Sequence, residues 1–279
     1  MGSVTKHAGG QAVIEGVMMM HGNKVNTSVR KGNKIINKSK RLKKKNKLAK
    51  TIFIRGVINL YDMLKIGMES LIWSADQQTE DHENISKTEI AFSLIMAFGF
   101  AILLFIVAPF YLSKLILKNN GILFNILDGI IRICIFAIYI FSISLMKDIQ
   151  KVFQYHGAEH KTVHCYEANK KLTINNVKKF TTLHPRCGTS FIIIVLIISI
   201  IVFSLITSNK VIYKLGLRIL LIPVIAGVSY EILKLSDKFK NNPILKLIST
   251  PGLWIQKITT KEPTDQQIEV AIHSLNKVI

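Results

Sequence analysis

Three histidines stand four residues apart in one polar segment, and this spacing is the strongest indication of chemistry in the sequence. If the segment is a helix, His156, His160 and His164 lie on one face together with Glu167. Imidazoles at positions i and i+4 can hold one zinc ion together. The segment from His156 to His160 also matches the H-x-x-E-H pattern of inverted zincins, with Glu159 at the glutamate position. We therefore expect a divalent metal, with zinc as the first candidate, and Glu159 as general base.

A second polar group lies in the turn His184-Pro185-Arg186-Cys187-Gly188. His184 and Cys187 stand at i and i+3, so both can face a metal, while Arg186 can bind a phosphate or act in catalysis. The third ligand that such a zinc site needs is expected from either His164 or Glu231.

Structural interpretations remain open for each of these residues. The histidines can bind lipid headgroups or backbone carbonyls, and His184 and Cys187 can be turn residues. Glu167 can be a solvated charge, and Glu231 can form an ion pair. Glu15 and His21, near the N-terminus, can approach the two polar groups, although the sequence assigns them no role.

The chain is both apolar and strongly basic. Its 279 residues are 49% hydrophobic, with a mean hydropathy of +0.33, yet 37 Lys and Arg face 17 Asp and Glu, for a formal charge of +20. This combination excludes a disordered protein and argues against a simple soluble enzyme. Three scattered cysteines are too few for a secreted disulfide framework.

Four apolar stretches predict membrane-spanning helices, at residues 90–112, 121–146, 189–208 and 217 to about 235. The first is long enough to cross a hydrocarbon core of about 30 Å. In the second, Asp128 and Arg132 stand at i and i+4 and are expected to pair. Most Lys and Arg lie outside the two short loops at 113–120 and 207–218. The positive-inside rule therefore places both termini and the central segment in the cytoplasm, at the cell membrane.

The remaining segments are polar and divide the chain further. We expect a strand over 9–20, a hairpin over 24–41, a lysine run over 38–50, an amphipathic helix over 52–73 and an acidic linker over 76–89. The lysine run is expected to meet anionic membrane lipid rather than nucleic acid. Near the C-terminus, Pro251-Gly252-Leu253-Trp254 is expected to anchor at the membrane interface, and 265–278 to form a surface helix. The expected units are therefore 1–50 (strand-rich), 51–89 (amphipathic helix and linker), 90–146 (two spans), 147–188 (site segment), 189–235 (two spans) and 236–279 (cytoplasmic tail).

Four motifs resemble the YqhQ-like family of bacterial multi-pass membrane proteins. They are residues 9–18, residues 153–161, residues 186–191, and Pro251-Gly252-Leu253-Trp254 with Thr259-Thr260-Lys261-Glu262-Pro263. The family is a domain of unknown function whose members are labelled as metal-dependent enzymes by prediction. The resemblance implies a multi-pass membrane protein, with the family's signature residues at Glu15, His156, Glu159, His160, Arg186 and Cys187.

These features predict a mainly α-helical membrane protein with about four transmembrane helices and a small mixed α/β N-terminal cytoplasmic domain. The expected function is a metal-dependent hydrolase that acts on a lipid headgroup or a membrane-bound peptide at the cytoplasmic membrane surface. The alternative is a non-catalytic scaffold, or a transporter of a small solute or metal ion. The polar segment lies outside the predicted spans, which argues against a transport path.

The charge distribution predicts a topology that reporter fusions can test. An alkaline phosphatase fused after Lys118 should be active, because this loop is expected outside, and one fused after Lys170 should be inactive. The reverse result at either position would overturn the four-span arrangement and move the histidine segment to the outer side.

Overall fold

The computed structural model describes residues 7–43, 51, 54–78, 86–117, 121–206, 208, 210–239 and 242–279. Within these residues the chain is mainly helical, with one small antiparallel sheet at the N-terminus, as the sequence predicts. The strands are β1 (Ala8–Val13), β2 (Gly16–His21), β3 (Lys24–Lys31) and β4 (Lys34–Arg41). The helices are α1 (Ile54–Gln78), α2 (Lys87–Ile102), α3 (Ala108–Ile116), α4 (Ile122–Ser144), α5 (Lys147–Glu167), α6 (Ile174–Val177), α7 (Gly188–Ser204), α8 (Val211–Leu220), α9 (Ile222–Lys238), α10 (Pro243–Thr259) and α11 (Asp265–Asn276), and a π-helical stretch, Leu103–Val107, joins α2 to α3.

The four strands form an antiparallel meander in the order β1-β2-β3-β4. The predicted hairpin over 24–41 is confirmed, and its turn contains Gly32 at φ +57°. The single strand predicted over 9–20 is wrong, because the chain turns between β1 and β2 with Glu15 at φ +50°. The apolar pattern continues through this turn, and a glutamate with positive φ gives no turn signal.

Helices cover both faces of the sheet. Alternate residues of β2 point to opposite sides: Met18 packs with Ile66 of α1, while Val17 and Met19 pack with α5 and α11. The prediction of a surface helix over 265–278 is therefore wrong, since α11 is a core element whose inner residues, such as Ile268, are fully buried. Its position depends on contacts with strands far away in the sequence.

Two helical stretches are long and apolar enough to cross a membrane. They are Thr88–Ile116, which runs through the π-helical stretch, and α4. A third candidate is the pair α8 and α9, which meet at a bend of 42° where Pro223 lies in the first turn of α9. The third predicted span, over 189–208, corresponds to α7, an apolar helix of only 17 residues. Among the described residues, two to three helices thus fit a membrane span by length and composition.

The structure also describes parts of three predicted polar segments. The amphipathic helix predicted over 52–73 is α1, which extends to Gln78. The lysine run begins in β4, and its residues 44–50 lie outside the described residues, as do 79–85 of the predicted linker. The predicted anchor at 251–254 lies inside α10, where Gly252 packs closely against Ser190 of α7 and Trp254 is exposed.

A close backbone approach at Gly157 joins α5 to the segment between α10 and α11. A Cβ atom at Gly157 would lie 2.1 Å from the Lys261 carbonyl oxygen, and Lys261 N donates to Phe153 O at 2.9 Å. Gly157→Ala should therefore lower the free energy of unfolding by about 1–3 kcal/mol through overpacking. Thermal unfolding of the detergent-solubilised protein measures this effect.

Gly216→Ala provides the matched control, because a Cβ atom at this position of α8 meets nothing within 4 Å. This substitution should leave stability unchanged or raise it by up to about 1 kcal/mol through helix propensity. Equal effects of the two substitutions would contradict the close contact at Gly157.

Candidate metal centre

Helix α5 positions the histidines between the sheet and the segment that leads into α7. One face of α5 is buried against the sheet and α11 through Tyr155, Ala158 and Val163. His156 and His160 lie on the side of α5 that faces Cys187, as the four-residue spacing of the histidines predicts. The polar segment is therefore a single helix, and its apolar face fixes the direction of its histidines.

His156, His160 and Cys187 form a cluster with metal-ligating geometry. One donor atom from each residue lies within 4.8 Å of the other two. His156 Nε2 is 3.1 Å from Cys187 Sγ, and the two imidazole ring centroids are 4.4 Å apart. Two imidazoles and a thiolate are ligands that zinc accepts in a tetrahedral site. We call these three residues the His/Cys cluster.

Backbone carbonyls hold both histidines in the tautomer that a metal requires. His156 Nδ1 lies 2.8 Å from Thr259 O, and His160 Nδ1 is hydrogen-bonded to Thr182 O. A carbonyl oxygen only accepts, so in each ring Nδ1 carries the hydrogen and Nε2 keeps its lone pair. This arrangement is typical of metal-ligating histidines and also fixes the orientation of the rings.

Cys187 reaches the cluster because two interactions hold its segment. It is the N-cap residue of α7, where its Sγ accepts from Thr189 N at 3.5 Å. The fully buried amide of Gln256 in α10 bonds both backbone groups of His184, accepting from its N–H and donating to its carbonyl at 2.8 Å each. No pattern in the sequence indicated a role for Gln256, apart from its position between the motifs at 251–254 and 259–263.

Glu159 lies buried next to the cluster. Its Oε2 is 3.4 Å from His160 Nε2. Burial raises the pKa of the carboxyl to about 7, although His156, Arg186 and a backbone hydrogen bond from Gly10 act in the opposite direction. A Cβ atom at Gly10 would lie 2.3 Å from the Met18 carbonyl oxygen and 3.0 Å from the Glu159 side chain, so glycine allows β1 to pass this close. A carboxyl that titrates near neutral pH is suited to general acid–base work.

Arg186, Glu167 and His184 form a second layer beside the cluster. Arg186 pairs with Glu167 and also contacts His7, and its Nε is 3.8 Å from Asp237 Oδ1. Burial alone would raise the pKa of Glu167, but His184, whose Nε2 lies 3.9 Å from Glu167 Oε2, and the charge of Arg186 outweigh it and hold the pKa at about 2. Burial lowers the pKa of His184 to about 4, so its ring is neutral at pH 7.

The structure does not bring His164 or Glu231 into the His/Cys cluster. His164 Nε2 lies 2.9 Å from Leu183 O, and its ring stacks on Phe180. Glu231 of α9 accepts two hydrogen bonds from Arg55 of α1, one of them at 2.7 Å. Of the sequence candidates for a third ligand, the structure thus places Cys187, and not His164 or Glu231, beside His156 and His160.

Other sequence candidates also have partners elsewhere. Glu15 pairs with Lys151 at 2.9 Å, and the His21 ring packs edge-on against Tyr166. Cys165 is buried on the other side of α5, near the Lys171 carbonyl. In the part of the chain that the structure describes, the only group of this kind is therefore the one formed by His156, His160 and Cys187.

The comparisons with known proteins identify a family whose function is not established. Residues 52–279 match the family model described as "Protein of unknown function (DUF1385)". The chain is 34% identical to "Uncharacterized protein YqhQ" of Bacillus subtilis (strain 168), over 97% of this chain and 92% of the relative. No solved structure matches it. The resemblance noted from the four motifs is thus confirmed, and the chain belongs to the YqhQ-like family of proteins of unknown function.

Proposed function

We propose that the protein is a metal-dependent hydrolase whose centre is the His/Cys cluster. The observation that carries the proposal is that one donor atom each of His156, His160 and Cys187 lies within 4.8 Å of the other two, with both Nδ1 atoms hydrogen-bonded to carbonyls. Zinc is the expected ion, because it accepts nitrogen and sulfur ligands together. Three protein ligands leave the fourth tetrahedral position for substrate or water, as in catalytic rather than structural zinc sites.

The residues around the cluster then have distinct roles. A divalent ion held here supplies Lewis-acid activation of water or of a carbonyl or phosphoryl oxygen. Glu159 takes the proton from the attacking water, because its carboxyl lies beside the cluster and its pKa is near neutrality. Arg186 orients an anionic group of the substrate, and Glu167 and Asp237 hold its guanidinium in place.

The position of the cluster favours a substrate at a membrane surface. Cys187 directly precedes the apolar helix α7, and α5 begins three residues after the apolar helix α4 ends. If these helices cross the membrane, the cluster lies at its surface, where a lipid headgroup or a membrane-bound peptide can reach it. We retain four spans with both termini in the cytoplasm as the topology for this proposal.

A thiol nucleophile is a second candidate for the same residues. Cys187 Sγ is 3.1 Å from His156 Nε2, and Thr259 O orients this imidazole through Nδ1. A thiol beside a histidine that a third group orients is the arrangement of a cysteine nucleophile with its general base. This candidate predicts catalysis that needs Cys187 but no metal.

Metal content tests the ligand set directly. We expect about one zinc ion per chain in protein purified in detergent without chelator. His156→Ala, His160→Ala and Cys187→Ser should each lose the metal, because each removes one donor from the cluster. Elemental analysis by mass spectrometry provides the measurement.

Two matched variants serve as controls for the metal measurement. Cys165→Ser and His164→Ala should keep the metal, because Cys165 lies near the Lys171 carbonyl on the other side of α5 and His164 Nε2 is hydrogen-bonded to Leu183 O. Loss of metal from Cys165→Ser with full retention in Cys187→Ser would overturn the proposed centre.

Glu159→Gln separates catalysis from metal binding. This variant should keep the metal but lose at least about 100-fold in hydrolysis rate, because a general base can be removed without emptying the site. The rates are measured with bis(p-nitrophenyl) phosphate, a fluorogenic peptide and phosphatidylglycerol vesicles. Unchanged hydrolysis in Glu159→Gln would reject the role of Glu159 as base.

The same assays separate the alternative functions. The absence of metal-dependent hydrolysis of all three probes would favour a scaffold or a transporter. Inhibition by iodoacetamide with resistance to chelator would favour the thiol nucleophile.

The raised pKa of Glu159 also predicts how stability depends on pH in the metal-free protein. The folded state binds the carboxyl proton more tightly than the unfolded state, so this group favours folding most below about pH 4.5 and progressively less up to about pH 7. Relative to Glu159→Gln, the wild type should lose up to roughly 3 kcal/mol of stability across this window. Chemical unfolding of both proteins with chelator present measures it, and parallel pH profiles would contradict the raised pKa.

A further inference from the structure

The apolar helices contain a group of buried charges that the proposed function does not use. Asp128 and Arg132 lie on α4, and Lys214 and Arg218 lie on α8. Each of these side chains is at most 4% exposed. We call these four residues the buried cation group, because three of them are cations and one is an acid.

One carboxylate serves both arginines. Arg132 Nη2 donates to Asp128 Oδ2 at 2.6 Å, and Arg218 Nη1 donates to Asp128 Oδ1 at 2.8 Å. The remaining Nη atoms donate to neutral oxygens, at Ser199 and Asn125. The pairing of Asp128 with Arg132 was predicted from their spacing, but Arg218 was not. Two guanidinium groups on one carboxylate leave one positive charge uncompensated.

Lys214 adds a second uncompensated charge. No hydrogen-bond acceptor among the described residues reaches its Nζ, which lies 4.4 Å from the centroid of the Phe124 ring. The ring faces attract a cation but accept no ordinary hydrogen bond. The Nε atoms of Arg132 and Arg218 likewise have no acceptor among the described residues. Buried donors without acceptors are costly, and so are buried charges without counter-charges.

Among the described residues, Asp128 is the carboxylate that pairs with this group, and no ion pair with a second one is recorded. The sequence has no Asp or Glu between Glu89 and Asp128, and none between Glu167 and Glu231. Glu231, at the far end of the latter interval, is paired with Arg55. An anion from outside the chain is therefore the partner that these side chains lack.

We propose that the buried cation group is a binding site for a phosphate group. Lys and Arg are the side chains with which proteins usually bind phosphate oxygens, and Lys214 Nζ with the two Nε atoms provides donors not otherwise used. One or two negative charges, as on a phosphodiester or inorganic phosphate, match the excess charge of the group. The phosphate comes either from an anionic lipid headgroup or from free inorganic phosphate.

This site is separate from the His/Cys cluster and does not depend on the proposed function. Ser199, which contacts Arg132, lies eleven residues along α7 from Gly188, which is roughly 16 Å of helix. Lys214 lies three residues from the start of α8, so about 4.5 Å of helix separates it from that end of the helix. Its flexible stem allows the ammonium group to turn from the Phe124 ring towards a phosphate entering at that end.

The binding test uses the full chain in a neutral detergent. Thermal unfolding is followed during titration with sodium phosphate at constant ionic strength, with sodium chloride as reference. A second titration adds phosphatidylglycerol, with phosphatidylcholine as reference. The wild type should show a saturable rise in unfolding temperature with at least one phosphate carrier. A response to phosphatidylglycerol alone assigns the phosphate to a lipid, and a response to inorganic phosphate assigns it to the free ion.

Variants of Lys214 decide whether the response arises at this site. Lys214→Met should weaken binding of the phosphate carrier at least tenfold, whereas Lys214→Arg should retain it. Lys114→Met is the matched control, because this exposed lysine lies in the last turn of α3 and should bind as the wild type does. Without added phosphate, Lys214→Met should unfold at the wild-type temperature or above, because it removes an unpaired buried charge. If Lys214→Met does not fold, Lys214→Gln replaces it in the same comparison.

Two results would overturn the proposal. One is the absence of any saturable response in the wild type to either phosphate carrier. The other is equal affinity in the wild type and in the charge-removing variant of Lys214. The zinc content is measured in the same samples, so that loss of the metal centre is distinguishable from loss of the phosphate site.

Discussion

The hydrogen bonds from His156 and His160 to two backbone carbonyls are the interactions on which the candidate site depends. They determine which ring nitrogen carries the hydrogen and leave both Nε2 atoms for a ligand. The carbonyls belong to Thr182, in the segment before α7, and to Thr259, at the end of α10. The orientation of each histidine ring therefore depends on the position of another segment. The site forms only when α5, α10 and the segment before α7 are in place together.

The glycines explain how these segments come so close. Gly157 allows the Lys261 carbonyl to lie against α5, directly beside His156, and Gly252 allows α10 to contact Ser190 of α7. Gly10 allows β1 to pass over the Glu159 side chain. Gln256 then ties α10 to His184 through both backbone groups. The same packing that excludes water from Glu159 and raises its pKa thus also sets the distance between Cys187 and the histidines.

Local patterns predicted the parts of the structure that depend on neighbouring residues. The four-residue spacing predicted the histidine face of α5, and the alternation around Gly32 predicted the hairpin over 24–41. The Asp128–Arg132 pair followed from its i,i+4 spacing, and the apolar stretches predicted the long helices. In each case the residues that interact lie within one or two turns of each other, so a periodicity or a short motif contains the information.

The predictions that differ from the structure concern residues that meet across long sequence separations. Arg55 and Glu231 are 176 positions apart, and nothing near either residue indicates that Glu231 is already engaged. The apolar face of α11 looked like that of a surface helix because the sheet that covers it is at the other end of the chain. Cys187 was one of several candidates, and only the folded structure shows that it, and not His164, faces His156.

The two polar sites of the protein differ in the charge of their side chains. In the His/Cys cluster, neutral imidazoles and a thiol are satisfied by carbonyls and by one another, so the site can fold without its ion. The buried cation group contains two guanidinium groups, which do not deprotonate, and its single acid cannot balance both of them. Neutral ligands tolerate removal of a bound ion, whereas fixed charges without a counter-charge favour uptake of an anion. We therefore expect the metal to be removable by chelation, and the buried cation group to bind a phosphate carrier whenever one is supplied.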